Sequence, residues 1–310
     1  MSGALAWGVA AQVKAERVAL ETFVAWHLDL GATRVVIYFD DPDDPGAVLL
    51  AGLGPRVVSV RCDAAHWAGF GKRPGKKTAR QTMNVQHAYD RTDLDWLAHV
   101  DVDEFILPVV LPGEAVAPSV AARLAAVPPD APFVRMRPYE ALAQPDGSPP
   151  RHFRAPPPGH QRDPVVRRIY GDAAQGLVGG MLSHAVGKGI SRRGVAGLAP
   201  RIHVPRLHGE GVQGVPFLPG LVMLHYHATD RAHWLAQLAY RTELGAYSAR
   251  PQNVAFFQAA TPADLNQFYD RVQIAHPQLL AGLQMENLLL THDPQLEAVR
   301  ARTFGGAVTS

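Results

Sequence analysis

The stretch "WLAHVDVDEFILP", residues 96 to 108, sets Asp101, Asp103 and Glu104 inside an otherwise apolar run. Successive side chains of a strand face opposite ways, so Asp101 and Asp103 are expected on one face and Val102 on the other. Two adjacent carboxylates repel, and ionised groups among apolar neighbours are costly unless a cation compensates them. A hard divalent ion, Mn²⁺ or Mg²⁺, shared with substrate phosphate oxygens would do so. The plainer alternative is a solvated strand end with a capping aspartate.

Two further clusters carry chemistry. "HYH" puts His225 and His227 on one strand face with Tyr226 opposite, just before a helix that "TDR" can begin. Neutral imidazoles there could hold an ion, or both could be ordinary surface or core histidines. In "GGMLSHAVGKGISRR" (179 to 193) the glycines allow close backbone approach, and Lys188, Arg192 and Arg193 could neutralise a diphosphate or a charged acceptor. The GxxxxGK[ST] pattern of a P-loop is absent, and a solvated basic hairpin is the alternative.

These residues need elements to position them. "LAWGVAAQV" (5 to 13) reads as a buried strand, and Leu20, Phe23, Val24, His27 and Leu28 follow the helical period up to Gly31, a helix-ending glycine. "RVVIYF" (34 to 39) is a strand, "DDPDDPG" a turn, 46 to 53 a short helix, "RVVSV" (56 to 60) a strand, 78 to 90 a helix, and "DWLAHVDVDEF" the fourth strand. Strands alternating with helices predict an α/β fold with a parallel sheet covered on both faces, whose ligands bind at the carboxyl ends of the strands. "DDPDD" and "DVDE" would then share one rim. Beyond residue 108 the chain turns Pro-rich. Strands are expected at 132 to 139, 184 to 193, 200 to 206 and 221 to 227, helices at 230 to 245, 262 to 274 and 277 to 302, and "GGAVTS" is expected to fray.

Composition sets the outer limits. With 310 residues, 47% hydrophobic, 19% charged and a net charge of +2, the chain reads as an ordinary globular protein and gives no sign of nucleic-acid binding. One cysteine, Cys62, excludes an intrachain disulfide and a Cys-rich zinc site, and fits a reducing compartment. The first residues lack a basic stretch ahead of their apolar run, and no segment approaches the roughly 20 apolar residues of a membrane span. The expected location is cytoplasmic, or peripheral at the inner membrane surface.

"VKAERVALETFVAWHLDLGATRVVIYFDDPDDP" followed by "RQTMNVQHAYDRTDLDWLAHVDVDEFILP" resembles the N-terminal half of GT-A fold glycosyltransferases, in particular a family 2-like group with the DxDEF signature. The likeness covers roughly residues 9 to 108, with weaker echoes in "GKGISRR" and "HYHATDRAHWLAQLAYR". It implies a Rossmann-like, mostly parallel sheet flanked by helices with a helical C-terminal part: a nucleotide-binding half over 1–108, an acceptor-side half over 109–245 and a helical extension over 246–310. It also implies metal-dependent transfer of a sugar from a nucleotide-diphosphate donor, UDP-sugar favoured, to a hydroxyl of a glycan or small-molecule acceptor, in glycan or polysaccharide biosynthesis. Asp101 and Asp103 would be the DxD pair and metal ligands, Asp103 the more direct and Asp101 nearer the ribose and the ion's water shell, and His225, preferred to His227, would complete the metal site. Glu16, Asp40 and Gln81 would bind the nucleotide, and Lys188 and Arg192 the diphosphate. An inverting enzyme also needs a carboxylate base. Glu140, Asp172 and Glu210 are the candidates, and their spacing selects none. A non-catalytic nucleotide- or carbohydrate-binding protein on the same scaffold is the rival. A metal-dependent phosphohydrolase is disfavoured, because the first strand does not end in a nucleophilic aspartate.

Overall fold

The computed structural model describes residues 5–212, 214–243, 247 and 251–305. The N-terminal part alternates strand and helix: β1 (Trp7–Val13), α1 (Arg17–Asp29), β2 (Arg34–Phe39), α2 (Gly46–Ala51), β3 (Val57–Arg61), α3 (Ala64–Ala68), α4 (Lys77–Arg91), β4 (Trp96–His99) and β5 (Glu104–Pro108). Then follow α5 (Val120–Ala125), β6 (Phe133–Ala141), β7 (His152–Arg154), α6 (Arg162–Tyr170), β8 (Lys188–Arg192), β9 (Leu198–Ala199), β10 (Arg206–Leu207), β11 (Glu210–Gly211) and β12 (Phe217–His225). The C-terminal part is mainly helical: α7 (Arg231–Glu243), α8 (Pro251–Ala259), α9 (Pro262–Gln273), α10 (Pro277–Met285), β13 (Leu289–Thr291) and α11 (Leu296–Phe304). This is the α/β class the sequence predicts, with a parallel set of strands flanked by helices.

Two compact units interleave along the chain: residues 1–137, 187–223 and 295–310 form one, and 138–186 with 224–294 the other. They do not follow one another as pieces 1–108, 109–245 and 246–310 would. In the first unit the strand order is β8-β4-β1-β2-β3, with β4, β1, β2 and β3 parallel and β8 antiparallel to β4. Every residue of β1 is buried, Gln12 included, as a strand covered on both faces requires. Helix α1 buries Leu20, Phe23, Val24 and His27, and the chain turns at Gly31 with φ +89°, a conformation that suits glycine. Order along the sheet reverses at β1: β2 and β3 lie to one side of it, β4 to the other. Such a reversal opens a crevice at the carboxyl ends of the strands.

In the second unit, β7 pairs with the C-terminal end of β6 and with β13, both antiparallel. Its core gathers Trp234, Tyr247, Phe257, Phe268 and Tyr269 with Tyr170 and Leu182.

Several expected elements differ. The single strand expected through "DWLAHVDVDEF" is two, β4 and β5, separated by a turn. The helix expected over 277 to 302 is broken into α10, β13 and α11, where Asn287 (φ 55°) and Gln295 (φ 50°) take left-handed backbone and Pro294 interrupts. No strand spans 200 to 206, whose ends, Pro200 and Pro205, lack the N–H that a ladder needs. Helix α6 arises inside the Pro-rich segment because Pro164 falls in its first turn, where a missing N–H costs nothing. The tail expected to fray lies outside the described residues beyond Gly305.

Candidate functional site

The acidic turn follows β4, at the same edge of the parallel strands as the carboxyl ends of β1, β2 and β3. Asp101, Val102 and Asp103 are not in a strand, so the expected same-face arrangement by strand alternation is corrected. What makes the turn is Glu104: its backbone N–H donates to Asp101 O (3.0 Å), while its carboxylate Oε2 accepts the Asp101 N–H (2.7 Å). Glu104 is fully buried, and Asp101 and Asp103 are partly exposed.

The cation that compensates these carboxylates is in the chain. Lys188 Nζ lies 2.5 Å from Asp101 Oδ2 and 3.1 Å from Glu104 Oε2, and its side chain is 1% exposed. Gln81 Nε2 donates to the other Asp101 oxygen at 2.7 Å. Burial alone would raise the Asp101 carboxyl, but the Lys188 ammonium outweighs it and holds the group well below the usual carboxylate range. For Lys188 burial acts downward and is overcome by Asp101 and Glu104, which push its value up. Buried His99, at the end of β4, is depressed to about 4, chiefly by burial and then by Lys188. Lys188 is therefore an internal counter-ion, a correction to its expected place on a diphosphate. Arg192 is likewise structural: its guanidinium lies 4.3 Å from the centre of the Trp96 ring and donates to the carbonyls of Ala131, Val127 and Pro128.

A cleft of about 770 Å³ opens at the carboxyl ends of β1, β2 and β3. Lys14 follows β1, Asp40 and Asp41 follow β2, Cys62 and Asp63 follow β3, and Trp67, Lys72 and Arg73 complete its lining. Asp40 accepts both guanidinium bonds of Arg80, at 2.7 Å each, and one from Arg73 at 3.1 Å. Burial works upward on its carboxyl, and the two arginines reverse this to a net lowering. Glu16 is exposed as the N-cap residue of α1 and is not in the cleft lining. Of the expected nucleotide residues, then, Asp40 lines the cleft and Gln81 braces the acidic turn. The cations Lys14, Lys72 and Arg73, with Trp67, went unread in the sequence. The strand-end rule that singled out Asp40 would have found Lys14 and Asp63, had it been carried to every parallel strand.

In the second unit, Glu140 does not fit a catalytic base. It is fully buried against Arg154, whose Nη2 is 3.0 Å away, and accepts from Leu182 N, Ser183 N and Ser183 Oγ. A carboxylate so filled has no lone pair to offer an acceptor hydroxyl. Asp172 is exposed in a 3-10 turn over Gly171–Gly176. Glu210, in the first unit, is exposed in the small sheet of β9, β10 and β11 and is not in the cleft lining.

Three histidines of the second unit converge. Ring nitrogens of His225, which ends β12, lie within 4.8 Å of those of His184 and of His227. Arg241 Nη1 is 3.0 Å from His227 Nε2. A guanidinium can only donate, so His227 Nε2 accepts and the neutral ring carries its proton on Nδ1. Burial, then His225 and Arg241, hold His227 well below the usual histidine value and keep it neutral. Neither nitrogen of His227 then has a lone pair for an ion.

Carboxylates of the first unit and imidazoles of the second are both groups that could hold a metal ion. The donors fit a hard divalent ion unevenly. Both Asp101 oxygens are engaged by Lys188 and Gln81, which leaves that carboxylate poorly placed to coordinate an ion directly.

No protein-family model matches the sequence, and no curated protein matches it. Comparison with solved structures finds remote likenesses. Staphylococcus aureus TarS 1–349 has a TM-score of 0.28 at 10% identity over 61% of this chain and 47% of that one, so the chain spans about half of that fragment. HddC from Yersinia pseudotuberculosis has a TM-score of 0.29 at 8% identity over 71% and 76%. The galactosyltransferase LgtC, in complex with donor and acceptor sugar analogs, has a TM-score of 0.29 at 10% identity over 98% and 97%. Likenesses this remote carry no argument. Among the described residues no helix is long and apolar enough to cross a membrane.

Proposed function

We propose that the chain is a metal-dependent glycosyltransferase of the GT-A type, moving a sugar from a nucleotide-diphosphate donor to an acceptor hydroxyl in glycan or polysaccharide biosynthesis. One observation carries this: a cleft of about 770 Å³ and an acidic turn share the carboxyl edge of the parallel strands where strand order reverses. The cleft offers the Trp67 side and the Asp63 carboxylate to a nucleoside, and the cations Lys14, Lys72 and Arg73 to phosphates. Asp103 takes the part of direct ligand to Mn²⁺ or Mg²⁺. Asp101, held by Lys188 and Gln81, orients what approaches it. His225 is the further ligand on the strength of the sequence resemblance, and the Arg241 bond that occupies His227 supports that choice. Bound there, the ion would supply Lewis-acid stabilisation of charge on the departing diphosphate. A UDP-sugar is the favoured donor and a cytoplasmic or membrane-peripheral setting the favoured location, both from the resemblance and the sequence.

Incubation of the protein with Mn²⁺ and a panel of nucleotide sugars tests the activity, with slow hydrolysis of one donor expected. The sealed Glu140–Arg154 pair favours a second reading, a nucleotide-binding protein without a competent base. Nucleotide binding with no donor turnover, even with acceptor glycans present, would select it.

A further inference from the structure

The chain has 25 arginines and only five lysines, yet two of the five, Lys14 and Lys72, line the cleft. Two more, Lys76 and Lys77, follow Lys72 in the segment "GKRPGKK" that leads into α4. All four are exposed. A lysine ammonium is a hydrated point charge on a flexible stem, so where such charges stand depends on the backbone beneath them. Residues 71–76 have no helix or strand of their own to hold that backbone. Arg80, in the first turns of α4, holds it instead. Its Nη1 donates to Gly75 O (2.7 Å) and Pro74 O (3.1 Å), while Nε and Nη2 donate to the two oxygens of Asp40, each at 2.7 Å. One planar guanidinium, 10% exposed, thus ties the segment to the residue that ends β2. A lysine could not make this bridge, because its donors spread from a single nitrogen and cannot pair bidentately with a carboxylate while reaching two carbonyls beyond it. Arg80 is not in the cleft lining. Arg73, inside the held segment, is, and it bonds the Asp40 Oδ1 that Arg80 also bonds.

We propose that Arg80 is the positioning residue of the cleft's cationic segment: by fastening Pro74 and Gly75 to Asp40, it sets Lys72 and Arg73 where the phosphates of a nucleoside diphosphate meet them together. It acts through the backbone it holds and touches no phosphate. Asp40 is then the anchor of that bridge rather than a ligand to the nucleotide. The proposal rests on the nucleotide reading of the cleft.

The test is titration calorimetry of the full chain with uridine diphosphate in Mn²⁺, on the parent, Lys72→Gln, Arg80→Gln and the double variant. Arg80→Gln should weaken binding at least about tenfold. Lys72→Gln should weaken it severalfold in the parent but less than about twofold in the Arg80→Gln background, where the ammonium is no longer held in place. An arginine that served the fold alone would leave the two losses independent, so equal fold losses from Lys72→Gln in both backgrounds, or no loss in the parent, would overturn the proposal. Arg80→Lys keeps a cation beside Asp40, which protects folding, and should bind as weakly as Arg80→Gln; parent-like binding by Arg80→Lys would overturn the proposal, as would failure of both Arg80 variants to fold. Trypsin gives a reading that needs no nucleotide. Well below the melting points, it should cut after Lys72 and Lys76 faster in Arg80→Lys than in the parent, and equal rates would show that Arg80 does not hold the segment. A parent that binds no nucleoside diphosphate would sink the nucleotide reading and this proposal with it, whereas a parent that binds and variants that bind equally well would sink this proposal alone.

Discussion

At the scale of single residues, charge compensation decides what each carboxylate can do. Asp101 and Glu104 pair with Lys188, and Asp103 is the proposed direct metal ligand, whose loss should be felt in function rather than in folding. Asp103→Asn changes no volume. Donor turnover should drop at least about 100-fold, the scale of losing a charge that stabilises a transition state, with the melt unchanged. Asp93→Asn, which loses an exposed pairing with Arg34, is the control and should keep its activity. A lowered Tm in Asp103→Asn would mark that residue as structural. For the histidines, His225→Ala should weaken metal-dependent donor binding more than His227→Ala, whose Nε2 is already taken by Arg241; titration calorimetry of both variants checks the order. The residue types were legible in the sequence, since acidic positions inside an apolar run stand out. Their geometry was not: strand alternation presumed a continuous strand, whereas the Glu104 side chain closes a turn. The counter-ion lies 87 residues away in the sequence, beyond any local pattern.

At the scale of elements, burial of histidines makes the helices and strands of the first unit sensitive to acid. His27 on α1 is fully buried beside Phe23 and Phe105 and is depressed to about 4 by burial, against which its bond to Phe23 O pulls upward. His99 on β4 is also depressed to about 4. The unfolded chain takes up protons near pH 6.5, the ordinary histidine value, while the folded chain resists until about pH 4. Stability is thus full above about pH 7 and is lost as pH falls from 6.5 towards 4, by up to about 3 kcal/mol for each histidine. Melting temperature against pH should trace that fall, and His27→Gln should make it shallower; an unchanged slope would put the acid sensitivity elsewhere. Elements made of one unbroken signal were legible: "RVVIYF" is β2 residue for residue, because β-branched and aromatic side chains fill a strand buried from Val35 onward. The break after α10 was not, because it rests on left-handed backbone at Asn287 and Gln295 rather than on a change in hydrophobic period.

At the scale of the whole molecule, the parallel half was readable because each of its strands precedes its helix in order along the chain. The second unit was not, because its core assembles Trp234, Phe257 and Phe268 from three helices with Tyr170 at the end of α6 and Leu182 from the loop before β8, and no linear boundary announces it. The cleft belongs to the readable half, so the central claim, that this edge binds a nucleoside diphosphate together with a divalent ion, can be tested on the intact chain. Titration calorimetry with uridine diphosphate, in Mn²⁺ and in chelator, is the most direct measurement. Binding in Mn²⁺ should be at least about tenfold tighter than in chelator, a difference of about 1.4 kcal/mol. Equal affinity under the two conditions, or no binding of uridine, guanosine, adenosine or cytidine diphosphate in Mn²⁺, would contradict it.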